Sequence, residues 1–149
     1  MRSIEPGVAL RLAELAEELA GVGSWWMDVS TKEIRWSPNM FRIFGLTPGV
    51  IPSLDYALQF IHPEDRPIAD SSLEQSLLGR ASVSATRIIQ PSGGIRYGEG
   101  RNACEFSDDG GVLAVYGTVN DVTERVVAER ALAKSEARYR LLAENSRDV

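Results

Sequence analysis

A strand pattern changes directly into a helix pattern near Asp121, and this junction constrains the fold more than any other stretch. Before it, small and β-branched residues from Val112 to Val122 favour an extended segment. After it, the chain from Glu124 to Leu142 contains no Gly or Pro and is rich in Ala, Glu, Arg and Leu. Because no loop separates the two patterns, the direction of the helix is tied to that of the last strand.

Asp121 is the predicted N-cap of this helix. Its carboxylate can accept hydrogen bonds from the free amides of the first turn. Glu124 occupies the capping-box position, from which a carboxylate reaches back to the amide of the cap residue. Ordinary strand-to-helix turns have the same spacing, so the interpretation of this junction depends on the rest of the chain.

The composition predicts one soluble domain with an acidic surface. The 149 residues are 44% hydrophobic, which is enough for one core and additional helices. A net charge of −5 without a Lys/Arg cluster argues against a nucleic-acid surface. No apolar run approaches the roughly 20 residues of a membrane span, although a longer parent protein can carry an anchor elsewhere.

Cys104 and His62 are the single cysteine and the single histidine of the chain. One cysteine excludes an intrachain disulfide and fits a reducing, cytoplasmic setting. With one histidine beside it, no metal site is expected. His62 precedes a Pro, and we expect it to cap a turn rather than to bind a ligand.

The N-terminal segment predicts an amphipathic helix over residues 1–21. Its apolar residues recur at alternating spacings of four and three, while charged residues occupy the other faces. This pattern fits both the seam of a short coiled coil and a helix lying on a sheet. The next strand turns a tryptophan outward, and the combined apolar surface predicts a homodimer. The predicted interface residues are Val8, Leu12, Leu15, Leu19 and Trp26.

Two short strands and a buried helix follow. Residues 24–29 and 34–36 flank a polar turn, which predicts a β-hairpin in which every second side chain faces the core. Ser37 and Pro38 then mark the start of a short apolar helix that ends at Gly45. A second short helix is expected between residues 54 and 61.

The second half of the chain predicts a longer helix and three strands. The helix spans about residues 63–79, with Ile68, Leu73 and Leu77 turned inward. The strands are expected over residues 81–90, 94–106 and 112–122, joined by Gly-, Ser- and Asp-rich turns. Strands joined this briefly pair antiparallel. The sequence therefore predicts an α+β domain, with a five-stranded antiparallel sheet, short helices on one face, an N-terminal amphipathic helix and a C-terminal helix.

Five short motifs follow one another in this domain. They are Gly23-Ser24-Trp25 with Asp28, Trp36-Ser37-Pro38, Phe44-Gly45, Ile61-His62-Pro63-Glu64-Asp65-Arg66, and Gly117 with Asp121-Val122-Thr123-Glu124-Arg125. In order and spacing they resemble a PAS domain of the bacterial sensory type, similar to the PAS fold-3 group, over residues 22–122. Two departures from the family pattern, Ser92-Gly93 for Asp-Gly and Arg96-Tyr97 for Arg-Trp, lie in a turn and on an outer strand position.

The resemblance implies signal relay. In this family the stretch from Asp121 to Thr123 matches the Asp-Ile-Thr element, where the sheet passes a change to a coupling helix. The implied signal-transfer residues are Asp121, Thr123 and Glu124, and the signalling helix occupies residues 123–149. Residues 135–149 also resemble the start of a second PAS domain. The parent protein is therefore expected to be a sensor histidine kinase of a two-component system or a diguanylate cyclase, with its effector domain in the same chain.

Two interpretations of the apolar residues remain open. A cavity between the sheet and the short helices can take a small ligand. Alternatively, the same side chains fill the core of a ligand-free dimerisation and relay module. A cavity with converging polar groups would distinguish the two. The candidate pocket residues are Trp25, Met27, Phe41, Phe44, Leu73, Leu77, Arg87, Val115 and Val119.

No cofactor and no enzymatic activity are predicted. The chain has neither a phosphate-binding Gly-rich loop nor a nucleophile placed beside a base. Flavin-binding sensors of the family carry a cysteine in a helical Asn-Cys-Arg motif, whereas Cys104 lies on a predicted strand. A haem-binding member would use a histidine inside the long connecting helix, and His62 precedes that helix.

Overall fold

The computed structural model describes residues 5–147, and its core is a single five-stranded antiparallel sheet in the order β2-β1-β5-β4-β3. The predicted fold class is confirmed. In chain order the elements are α1 (Pro6–Ala20), β1 (Val22–Asp28), β2 (Ile34–Trp36), α2 (Pro38–Phe44), α3 (Leu54–Leu58), a 3₁₀ turn (Pro63–Asp65), α4 (Arg66–Leu77), β3 (Ser82–Ile89), β4 (Ile95–Phe106), β5 (Val112–Asp121) and α5 (Thr123–Arg147).

Helix α1 ends at Ala20, within the predicted boundary at residue 21. Gly21 adopts a left-handed conformation with φ 70°, and its N–H group bonds to carbonyl groups of the last turn. This conformation terminates the helix and favours glycine. Val22, which continues the helical spacing, instead begins β1 and pairs with Asn120 of β5.

The core lies between the inner face of the sheet and helices α2 and α3. One buried cluster joins Met27 and Ile34 of the first hairpin to Phe41, and a second joins Met40, Ile43 and Phe44 of α2 to Ile61 and Ile88. Burying each of these larger side chains contributes about 1.5–3 kcal/mol to the free energy of folding. Helix α2 therefore packs against β1, and the prediction that this helix is buried is confirmed.

Helix α4 turns a polar face to the sheet, so the prediction that Ile68 and Leu77 point inward was wrong. These two side chains are 44% and 37% exposed, whereas Ser72 and Ser76 are buried. The Ser76 hydroxyl donates to the Ser72 carbonyl at 3.1 Å, and the hydroxyls of Ser72 and Ser82 lie 2.7 Å apart. Small, internally bonded serines let the helix lie close to β3.

The two terminal helices pack less tightly. No residue of α1 is buried, and the helix is held to the domain by Glu17, which accepts from the Ser24 hydroxyl at 2.6 Å, and by an ion pair between Glu18 and Arg42 at 2.8 Å. Helix α5 is a continuous segment of 25 residues. In the described part of the chain, no helix is both long and apolar enough to cross a lipid bilayer.

Candidate functional site

A cavity of about 120 Å³ lies between the inner face of the sheet and helices α2, α3 and α4. Five of the predicted pocket residues surround it, namely Trp25, Met27, Phe44, Leu73 and Val119. Their side chains come from β1, α2, α4 and β5. Further apolar walls that the sequence did not indicate are Ile34, Trp36, Met40, Leu54, Leu58, Ile61 and Ile88.

Four predicted pocket residues lie elsewhere. Phe41 belongs to a core cluster with Met27 and stacks at a tilt on Trp36, with ring centroids 5.3 Å apart. Val115 is fully buried and lies between Met27 and Cys104 in the sheet. Leu77 borders a separate outer groove, described below.

Arg87 is the fourth of these residues, and it makes ion pairs instead of lining the cavity. Its guanidinium donates to both carboxylate oxygens of Asp65 at 2.8 Å, and one nitrogen also reaches Glu64 at 3.1 Å. The hydrogen bond from Arg87 lowers the pKa of Asp65 from 3.8 to about 2. These contacts tie the 3₁₀ turn to β3. The Arg87 guanidinium, which was the predicted polar group of the pocket, is therefore bonded to carboxylates instead.

His62 caps the same turn. The His62 Nδ1 atom accepts a hydrogen bond from the Glu64 amide at 3.1 Å, and the backbone amide of His62 donates to the Arg87 carbonyl at 2.9 Å. The prediction of a capping role is confirmed. Among residues 5–147, no group of three or more His, Cys, Asp or Glu side chains is arranged to hold a metal ion.

One side of the cavity is polar. The lining residues there are Ser72 on α4, Ser84 and Thr86 on β3, and Asn102 on β4. The Asn102 amide nitrogen donates to the Ser72 hydroxyl at 3.0 Å. Period-two alternation counted back from the buried Ile88 would have placed the polar residues of β3 inward, but the neighbouring Ile89 obscured that register.

An open groove of about 860 Å³ adjoins the cavity at the hairpin end of the sheet. It runs between β2, the loop around Ile51 and the end of α4. The groove and the cavity share a set of lining side chains, so this shared layer lies between the two spaces. The shared residues are Met27, Ile34, Trp36, Leu54 and Leu73.

A second set of functional residues surrounds Asp121 at the strand-to-helix junction. One carboxylate oxygen accepts from the Thr123 amide at 3.0 Å, and the other accepts from the guanidinium of Arg96 on β4 at 2.9 and 2.7 Å. The Asp121 amide donates to the carbonyl of Gly21 at 2.8 Å, directly after α1. Asp121 therefore contacts the end of α1, strand β4 and the first turn of α5.

The predicted capping box is not formed. Because the Asp121 amide is bonded to Gly21, it is not available to Glu124, whose side chain is exposed. Asp121 does accept from the first turn, but the Val122 carbonyl receives the first helical bond, from Val126 at 3.0 Å. The Thr123 hydroxyl accepts from the Tyr97 amide at 2.9 Å, which ties the helix start to β4.

Two further contacts hold α5 against β4. The Arg130 guanidinium lies 4.8 Å from the ring centroid of Tyr97, and one of its nitrogens donates to the Tyr97 hydroxyl. One turn earlier, Arg125 forms an ion pair with Glu99. The start of α5 is therefore fixed by its own side chains as well as by the junction.

Comparison with known proteins identifies the family. Residues 33–119, more than half of the chain, match the PAS fold family, and the protein belongs to it. The chain is 36% identical over 126 residues to a blue-light-activated histidine kinase of Brucella anthropi. It is 25% identical over 127 residues to the probable diguanylate cyclase DgcE of Escherichia coli K12. The matches cover 83% and 85% of this chain but 25% and 12% of those proteins, so the chain spans a quarter of their length or less.

Solved structures agree with this assignment. A sensory box histidine kinase/response regulator from Burkholderia thailandensis E264 matches with a TM-score of 0.67 and 26% identity, covering 86% of this chain and 97% of that chain. The N-terminal domain of a diguanylate cyclase with a PAS/PAC sensor from Marinobacter aquaeolei has the same fold, with a TM-score of 0.64 at 20% identity over 70% of this chain and 97% of that chain. The class of protein is thus a PAS sensory domain, of the type found in histidine kinases and diguanylate cyclases.

Proposed function

We propose that this PAS domain is a non-catalytic sensor and relay, which passes a change in the core cavity through β5 to α5. The observation that carries the proposal is the position of Asp121. It lies two residues after Val119, a cavity-lining residue of the same strand, and it contacts α1, β4 and α5. Two residues of a strand span about 7 Å, so the cavity and the helix start are close neighbours.

In this relay, movement of Asp121 is passed to both terminal helices. A change in the cavity that displaces Val119 also displaces Asp121, because strand β5 connects them directly. Asp121 holds Thr123 at the start of α5 and bonds to the residue that ends α1. Both terminal helices therefore shift together relative to the sheet, which is a small rigid-body switch of the kind that transmits signals between domains.

Helix α5 is the output of this module. It exposes Val127, Leu132, Leu141 and Leu142, apolar side chains that a partner helix can cover. We assign it the role of a coupling helix leading to an effector domain of the same chain, either a histidine kinase or a diguanylate cyclase. Residues 135–149, expected to begin a second PAS domain, continue this helix as far as Arg147; Asp148 and Val149 lie outside the described residues.

The proposed sensor works in the cytoplasm without flavin or haem. Cys104 lies on β4, in a strand, and His62 is engaged in capping a turn. A visible absorption band that stays with the purified protein through gel filtration would contradict this part of the proposal.

A ligand-free dimerisation and relay module is the second candidate function. The observation that favours it is the apolar stripe of α1, in which Val8, Leu12 and Leu15 are about half exposed. In that case the partner subunit, rather than a ligand, supplies the input. The Asp121 relay is common to both candidates.

Hydrogen exchange of the Asp121→Ala variant tests the relay. Losing the carboxylate costs about 1 kcal/mol of folding free energy. We expect amide exchange in residues 126–132 to accelerate more than exchange in β3, because α5 loses its anchor while the sheet stays folded. The matched control is Asp109→Ala, which removes a carboxylate bonded to the Gly111 amide in the distant β4–β5 turn. Equal acceleration in α5 and β3 would make Asp121 a purely structural residue and contradict the proposal.

A further inference from the structure

The size of the cavity limits its ligand to about one ring. An apolar cavity of about 150 Å³ accommodates a benzene molecule. The cavity here measures about 120 Å³. On this scale a single six-membered ring is about the largest rigid body that fits, and a short substituent requires a small displacement of the walls.

The walls of the cavity favour a flat apolar body. Trp36 and Phe44 lie with ring centroids 4.6 Å apart, and both line the cavity together with Leu58 and Leu73. Aromatic rings pack against such walls in tilted or edge-on arrangements with centroids about 4.5–7 Å apart. The apolar side therefore suits an aromatic ring.

Ionised ligands are excluded by the residues that line the cavity. In the described part of the chain, no Asp, Glu, Lys, Arg or His side chain lines it. The Arg87 guanidinium on β3 is bonded to Asp65 and Glu64. A buried charge without a partner is strongly unfavourable, so a carboxylate or an ammonium group has no place there.

The polar side of the cavity has hydrogen-bonding capacity to spare. Asn102 uses its amide nitrogen on Ser72, which leaves its carbonyl oxygen to accept a further bond. The hydroxyls of Ser84 and Thr86 make no hydrogen bond within residues 5–147, although both residues line the cavity. Three polar groups thus converge from two neighbouring strands.

Glycine keeps this side open. Gly100 lines the cavity between β3 and β5, and a Cβ atom there would lie 3.1 Å from the Ser84 hydroxyl oxygen. A larger side chain at this position would occupy the space in front of the polar groups. The sequence thus keeps both the volume and the hydrogen-bonding groups of one side of the cavity available.

We propose that the cavity binds a small uncharged aromatic molecule with one hydrogen-bonding substituent, which Asn102, Ser84 and Thr86 hold. The ring lies against Trp36 and Phe44, and entry is from the outer groove through the shared layer that contains Leu73. This inference rests on the proposed sensory function and specifies its input.

Three probes of similar size test the chemical class. Phenol, toluene and benzoate are titrated into the ¹⁵N-labelled 149-residue protein, and amide shifts of Gly100 and Asn102 are followed by NMR. Phenol is expected to bind saturably and about five- to tenfold more tightly than toluene, the difference made by one hydrogen bond. Benzoate is expected not to saturate these shifts.

Variants assign the hydrogen bond. Asn102→Leu should remove the preference for phenol over toluene, while Asn120→Leu, on β5 outside the cavity, should keep it. If Asn102→Leu does not fold, Ser84→Ala takes its place and should reduce the preference. A phenol preference that persists in the folded variant overturns the assignment of the polar groups.

The outcomes separate this inference from the relay. Benzoate binding as tightly as phenol overturns the uncharged class, and equal binding of phenol and toluene overturns the hydrogen-bonding substituent. If no probe binds saturably, the ligand inference is wrong. The hydrogen-exchange experiment on Asp121→Ala uses no ligand. The relay proposal is therefore tested independently of these binding results.

Discussion

Asp65 and Arg87 illustrate how single residues determine which side chains are available for binding. The sequence offers Arg87 as the polar group of a pocket, but a carboxylate 22 positions earlier in the chain holds it on the other side of β3. This pairing requires the 3₁₀ turn and the strand to be brought together by the fold. Long-range ion pairs of this kind are not encoded in any local pattern.

The same pair gives a pH-dependent contribution to stability. The pKa of Asp65 is lowered from 3.8 to about 2 in the folded state. Because the pKa of Asp65 is lower in the folded state than in the unfolded state, its ionised form stabilises the fold at pH values above the unfolded pKa. This contribution is lost as the pH falls through about 4 towards 2. We predict that Asp65→Asn removes roughly 2 kcal/mol at pH 6 and much less at pH 2.

Urea unfolding at the two pH values measures this difference. The matched control is Asp70→Asn on the exposed face of α4, which should lose little stability at either pH. An equal loss for Asp65→Asn at pH 6 and pH 2 would show that the ion pair does not depend on ionisation of this carboxylate.

At the level of secondary structure, the hairpin, the three long strands and the short helices follow from local patterns. Turn residues and period-two alternation locate the strands to within two residues, because both signals are local. The polar inner faces of α4 and of β3 were missed, since serine and threonine are typical of exposed surface. Only the structure places Ser72 beside Asn102, and this contact forms part of the polar side of the cavity.

The attachment of α5 to β4 gives a prediction at this scale. Tyr97→Phe removes the hydroxyl that accepts from Arg130 but keeps the ring under the guanidinium. We expect amide exchange in residues 126–132 to rise roughly twofold to fivefold, as one partly exposed hydrogen bond is lost, with little change in global stability. Tyr97→Ala, which also removes the ring, should have a larger effect.

The control for this prediction is Tyr116→Phe, since Tyr116 is a half-exposed tyrosine on β5. Removing the Tyr116 hydroxyl should leave amide exchange in α5 unchanged. If Tyr97→Phe behaves like this control, the Tyr97 hydroxyl does not position α5.

At the scale of the whole molecule, the two terminal helices leave apolar side chains uncovered. Leu12 and Leu15 are 53% and 50% exposed and lie on one stripe with Val8 and Leu19. Trp26, the fifth predicted interface residue, is half-buried, and the Arg35 guanidinium lies 5.7 Å from its ring centroid. The stripe therefore remains the strongest argument for a homodimer.

Substitutions on this stripe test the oligomeric state. We predict that the wild-type chain sediments as a dimer and that the double variant Leu12→Gln, Leu15→Gln sediments as a monomer, because the apolar contact area is lost. Leu10→Gln is the matched control: Leu10 is 60% exposed but lies off the stripe, and its loss should leave the dimer intact. A monomeric wild-type protein, or an unchanged dimer in the double variant, would remove α1 from the interface.

A double-mutant cycle followed by hydrogen exchange measures the coupling between the cavity and α5. Leu58→Ala enlarges the cavity from α3, and exchange is compared in residues 126–132 and in β3, which reports global stability. We predict an excess change in α5 of about threefold, which disappears when Asp121 is replaced by Ala. No excess in α5, or an equal excess without the Asp121 carboxylate, would show that the cavity and α5 are not coupled through Asp121.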